Sequence, residues 1–150
     1  MPDLNITSSG VAVANSSAVK AYGTSEAAIS AGQVVYADPA STPPGLLKPA
    51  QGNSASGTVP AMNVVGIALD TAAGSGQPIA YVSSGDVILP TTGSGSVLVQ
   101  GSVYVMSAAN PGGITSANDP AAGTSYLTSL GLAVSPSTLR VNINPVGAVR

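Results

Sequence analysis

The apolar residues of this chain come in short runs, and almost every run is closed off by glycine, proline, serine or asparagine. Gln33 to Ala37, Asn63 to Asp70, Pro78 to Ser83, Asp86 to Pro90, Ser96 to Gln100, Ser102 to Ser107, Leu127 to Val134 and Thr138 to Asn144 are all of this kind. Each is rich in Val, Ile, Leu or Tyr, the signature of a strand between turns. No stretch sustains the 3.6-residue apolar period of an amphipathic helix. The best helix candidate is a single turn in "NDPAAGTSYL", with Asp119 as cap and Pro120 at the first helical position. The 18 Gly and 12 Pro supply many turns. The segment Ser41 to Pro60 reads as a loop with one short strand at Leu46-Leu47. The pattern predicts an all-β chain.

Composition limits what such a chain does. There is no Phe or Trp, so the core is built from branched aliphatics, Leu and 5 Tyr, with Ala as filler. A thin core of this kind often gains stability from association. Only 7% of residues are charged, against a usual share of about 25%. With a net charge of -2, little repulsion keeps copies apart, which favours a protein that works assembled; a stable secreted or thermally robust β domain is the other reading. Lys20, Lys48, Arg140 and Arg150 are scattered, so no basic patch is available to displace counterions from nucleic acid. Cysteine is absent, which removes disulfides and thiolate chemistry. The apolar runs fall short of the ~20 residues of a membrane helix. The start, "MPDLNITSSG", has no basic region followed by an apolar one, so production in the cytosol is expected.

Residues 1–31 form a leader rich in Ser, Ala and Asn, and two readings fit it: a disordered terminus, or an extended N-terminal arm that orders against a neighbour. The body, 32–150, repeats itself. Val35-Tyr36 matches Val103-Tyr104, and nine residues after each Tyr comes a Gly with an aliphatic, Gly45-Leu46 and Gly113-Ile114. "VVGIALD" around Gly66 matches "SLGLAVS" around Gly131, and "PIAYVSSG" matches "LRVNINPVG". The copies run over about 32–85 and 101–147, two related β units that suit one small barrel or sandwich made of similar halves. Chance recurrence of turn-strand spacing is the other explanation. An interior strand glycine weakens a sheet unless a bulge, bend or close backbone approach needs it, so Gly66 and Gly131 are expected at such a place.

Reactive groups are few. Without His or Cys there is no Ser-His-Asp or Cys-His arrangement and no zinc site of the usual kind. The acids are Asp3, Glu26, Asp38, Asp70, Asp86 and Asp119. Asp70 and Asp86 are the one pair that a hairpin would bring close, as in a glycosidase. The plainer reading has them flanking turns and facing water. "AAGSGQP" and "TTGSGSV" lack the Gly-Lys-Ser/Thr of a phosphate loop and read as turns. Asn5 and Asn15 fit the glycosylation pattern but lack an export signal. Neither an enzyme nor any cofactor or metal site is expected.

"EAAISAGQVVYAD", "VVGIALDTAAGSGQPIAYVSSGDVIL", "GSVYVMSAANPGGITS" and "SLGLAVSPSTLRVNI" together resemble the capsid cement, or head decoration, proteins of tailed bacteriophages. The resemblance covers about residues 26–143. It implies a structural protein on the outer surface of an assembled head, bridging major capsid proteins, commonly as a homotrimer and with an N-terminal arm in the contact. It also implies a virion location after synthesis in the host cytoplasm, with no catalytic residues. The rival readings are a receptor-binding or tail-fibre domain, a bacterial surface module, and a hydrolase built on Asp70 and Asp86.

Overall fold

The computed structural model describes residues 3–52, 63–93, 97–118 and 126–149, with side chains up to residue 145. Ten strands form: β1 (Ala12–Val13), β2 (Val19–Thr24), β3 (Val34–Asp38), β4 (Leu46–Pro49), β5 (Val64–Ala68), β6 (Pro78–Ile88), β7 (Val103–Met106), β8 (Ile114–Ser116), β9 (Tyr126–Ser135) and β10 (Thr138–Val149). Among the described residues the only helical element is one 3-10 turn, Ser8–Gly10. The expected one-turn helix near Asp119 lies outside the described residues, as does most of the 41–60 loop beyond Gly52. The fold is all-β. The sheet has the order β4-β3-β5-β6-β10-β9-β7-β8 and curls into a half-barrel.

β6 organises this arrangement. Sequence punctuation at Ser84-Gly85 suggested two strands, but the chain runs through as one strand of 11 residues. Its first half pairs with β5 through Ile67–Val82 and Ala68–Tyr81, and its second half with β10 from Ser84–Asn142 to Ile88–Thr138. The opposite edge carries β2 and β1, since Ser84 faces both Val19 and Asn142. Both edges are therefore occupied, and main-chain groups along β6 have partners in two directions.

The two units have the same ladder. Gly32 N–H donates to Ala68 O and Ala68 N–H to Gln33 O, each at 2.8 Å. In the second unit Gly101 N–H donates to Ala133 O at 2.8 Å and Ala133 N–H to Ser102 O at 2.9 Å. Val35 then faces Gly66 and Tyr104 faces Gly131, and one residue of β5 and of β9 bulges out immediately afterwards. Hydrogen-bond register therefore equates Val34 with Val103, Gly66 with Gly131, and Tyr81 with Leu139. The sequence match was right at the central glycines, one residue out at the tyrosines, and three out along the last strand. Apolar patterning follows which face is buried, and a one-residue offset exchanges the faces.

That exchange explains the packing. In the first unit Val34, Tyr36, Ile67 and Val82 enter the main core, while Val35, Leu47, Ala68 and Ile79 enter a smaller core with Ile29 and Ala72. In the second unit Tyr104, Ile114, Ala133 and Leu139, register mates of the smaller-core face, fill the main core instead. The units stack front to back.

Residues 3–31 lie along this body. Leu4 N–H donates to Ile114 O at 2.8 Å, Thr7 N–H to Pro90 O at 2.7 Å, and Thr92 N–H to Asn5 O at 2.9 Å. The N-terminal segment thus spans the gap between β8 and the exit of β6. In the first unit the matching gap closes directly, with Glu26 N–H donating to Leu47 O at 2.9 Å. Val19–Thr24 was not expected as a strand, because only its pairing to β6 makes it one; three of its six residues are polar or glycine. Ile114–Ser116 was also missed, being three residues long. The expected strand at Ser96–Gln100 does not form over its described part, Val97–Gln100. There Leu98 is buried and Val99 N–H donates to the Tyr104 hydroxyl at 2.8 Å, so alternating burial is satisfied without a ladder.

Gly66 and Gly131 sit where strands touch. A side chain at Gly66 would run into the carbonyl oxygen of Val82, and one at Gly131 into that of Arg140; Gly131 also has a φ of 154. The obstruction is backbone and has no room to yield. Gly66→Ala and Gly131→Ala should each lower unfolding stability by about 2 kcal/mol or more in urea titrations. Gly74→Ala, with nothing within 4 Å, should change it by less than about 0.5 kcal/mol. Equal effects at all three positions would contradict the close approach.

Candidate interaction surfaces

Charged side chains first settle whether the structure gathers chemistry anywhere. Asp70 accepts the Ala80 N–H at 2.9 Å and so fastens the turn between β5 and β6. Asp86 lies six residues further along β6, where Arg140 Nε donates to Oδ1 at 2.8 Å and Nη2 to Oδ2 at 3.2 Å. The two aspartates considered as a pair thus have separate partners: the first flanks a turn as the plain reading held, the second is a mid-strand ion pair. Arg140 and the Asn15 amide hold the Asp86 carboxyl below its usual range, Arg140 contributing most.

A second cluster joins β3, β4 and the end of β2. Lys48 Nζ stands 2.8 Å from Asp38 Oδ2 and 3.2 Å from Glu26 Oε2. The Lys48 hydrogen bond, followed by the Ala40 N–H, pushes the Asp38 carboxyl down, and the hydrogen bonds to Asp38 and then Glu26 push Lys48 up. Tyr36 beside them is raised, chiefly by burial. These residues tie three backbone segments together where the first unit closes. Sequence spacing gave no sign of this, because Glu26, Asp38 and Lys48 meet only once β4 folds back on β3. No group of three or more potential metal ligands occurs among the described residues, and no described helix is long and apolar enough to cross a membrane.

Apolar exposure is more informative. On β2, Tyr22 is 75% exposed and Val19 52%, alongside Lys20 and Thr24, which are also exposed. On the outer face of the second unit, Val103 is 42% and Leu132 40% exposed. These two border a hollow of about 280 Å³, completed by Ser129, Gly131, Arg140, Asn142 and Asn144. Leu132 is the register mate of Ile67, yet it stands exposed where Ile67 is buried. Arg140 is fixed there by its edge through Asp86, while its side chain stays 60% exposed.

A second concavity, about 350 Å³, runs between the N-terminal segment and the 30–33 and 110–114 loops. Asn110 Nδ2 donates to Asp3 Oδ2 across it at 2.7 Å. It is the groove left where residues 3–8 lie against the body.

The chain matches no family model, no curated protein and no solved structure.

The Asp38 and Asp86 shifts give a pH dependence with a definite sign. A carboxylate whose folded pKa lies below its unfolded value contributes fully above the unfolded value, about 3.9 for Asp, and loses that contribution as pH falls through the folded one. Melting temperature should therefore hold from neutral pH down to about 5 and fall below about 4. Asp38→Asn should start lower at neutral pH and lose less on acidification. An unchanged acid slope in thermal melts of that variant would show that the Lys48 pair carries no weight.

Proposed function

We propose that this protein is a structural virion component that binds the outer surface of an assembled phage capsid, bridges neighbouring major capsid proteins as a homotrimer and stabilises the head. The observation that carries the reading is a pair of exposed apolar surfaces, Val19 with Tyr22 and Val103 with Leu132, held apart on one continuously hydrogen-bonded sheet. A bridge needs separate contact points and a stiff body between them. A surface poor in long charged side chains lowers the entropy and desolvation costs of each contact. Several modest contacts made together then add up through effective concentration. The sequence resemblance to head decoration proteins points the same way.

The purified chain, mixed with heads lacking decoration, should pellet with them and raise the temperature at which they release DNA. Tyr22→Ala should lower the amount bound at a fixed concentration. Absence from the head pellet, together with binding to host cells, would replace this reading with that of a receptor-binding or tail-fibre domain.

A further inference from the structure

The front-to-back stacking of the two units leaves one face of the second unit partly open among the described residues: Val103, Leu132 and Arg140 are exposed, while Val105, the register mate of Tyr36, is buried. By register, the second-unit face carrying Val103, Leu132 and Arg140 corresponds to the first-unit face carrying Val34, Ile67 and Val82. The first-unit face is buried under the second unit, with Tyr104 packed into the shared core. The second-unit face ends in the hollow of about 280 Å³. The same sheet surface is thus an interface once within the chain, and the second time its Val103–Leu132–Arg140 part is left open among the described residues.

We propose that a second copy of this chain covers it, head to tail, with Tyr22 of the β2 stripe seated between Val103, Leu132 and Arg140. Three observations select this occupant. Tyr22 is the most exposed large apolar side chain among the described residues, and Val19 lies on the same strand. The internal precedent also uses a tyrosine, Tyr104, against the equivalent face. Arg140 is held by its edge, with two hydrogen bonds to Asp86, so its planar face is pre-set to stack on an aromatic ring. Tyrosine and arginine are the residue types that most often dominate such contacts. This inference rests on the reading of the chain as an assembling structural protein, but it is testable without capsids.

Stripe and hollow are different surfaces, so the contact is heterologous: each open assembly keeps one free stripe and one free hollow until a ring closes. That gives a distinctive test by sedimentation velocity on the full chain. The unaltered protein should form a species larger than a dimer. Tyr22→Ala and Leu132→Glu should each weaken association about tenfold or more and sediment as monomers where the parent assembles. An equimolar mixture of the two should form a species of two copies and nothing larger, because one intact stripe meets one intact hollow. Val103→Glu should behave as Leu132→Glu does, and serves if the latter melts at a lower temperature. A parent that stays monomeric at its solubility limit, or a mixture that stays monomeric, overturns the proposal. A monomeric parent whose hollow variants lose head binding would assign the hollow to the capsid and leave the proposed function standing. A parent that assembles as described but ignores heads would do the reverse.

Discussion

The strand Pro78–Ile88 is hydrogen-bonded along both edges, and the position of every other element follows from that sharing. Its first half is the last strand of the first unit. Its second half lies against β10 in the way β2 lies against the first half: Lys20 faces Val82 there, and Asp86 faces Arg140 here. One strand thus ends one unit and opens the next. Joining the units this way makes them stack front to back, and the main core contains side chains of both. The first unit adds a smaller core of its own, but the larger one is shared, so the molecule is expected to unfold as one cooperative body.

Much of this was legible in the residues. Val-rich runs punctuated by Gly and Pro gave the fold class, and the shared Gly-aliphatic-Ala pattern marked Gly66 and Gly131 as places of a bulge, bend or close approach, where the structure has a close approach beside a bulge. What escaped was whatever depends on distant partners. Val19–Thr24 has too few aliphatics to announce itself and becomes a strand only because β6 offers a free edge. Val97–Gln100 has the alternation of a strand, yet its Val99 N–H is met by a tyrosine hydroxyl. The repeat was found but misaligned by one residue at Val35-Tyr36, because hydrophobic pattern reports facing and hydrogen bonds report register. The interaction surfaces were least legible. Tyr22 and Leu132 look like core residues in sequence, yet both are exposed, although Ile67, the register mate of Leu132, is buried.

The few charged groups of this chain are largely used in structure. Lys48 with Asp38 and Glu26 closes the first unit, and Arg140 with Asp86 locks the second to β6. The N-terminal segment 3–7 spans the open side of the second unit through main-chain hydrogen bonds.

The most direct measurement is a cryo-electron microscopy reconstruction of phage heads incubated with this protein. The account predicts discrete density on the outside of the shell, straddling adjacent capsid subunits, with the Val103–Leu132 face of each copy covered by its neighbour. Heads that carry no added density at saturating protein would contradict it.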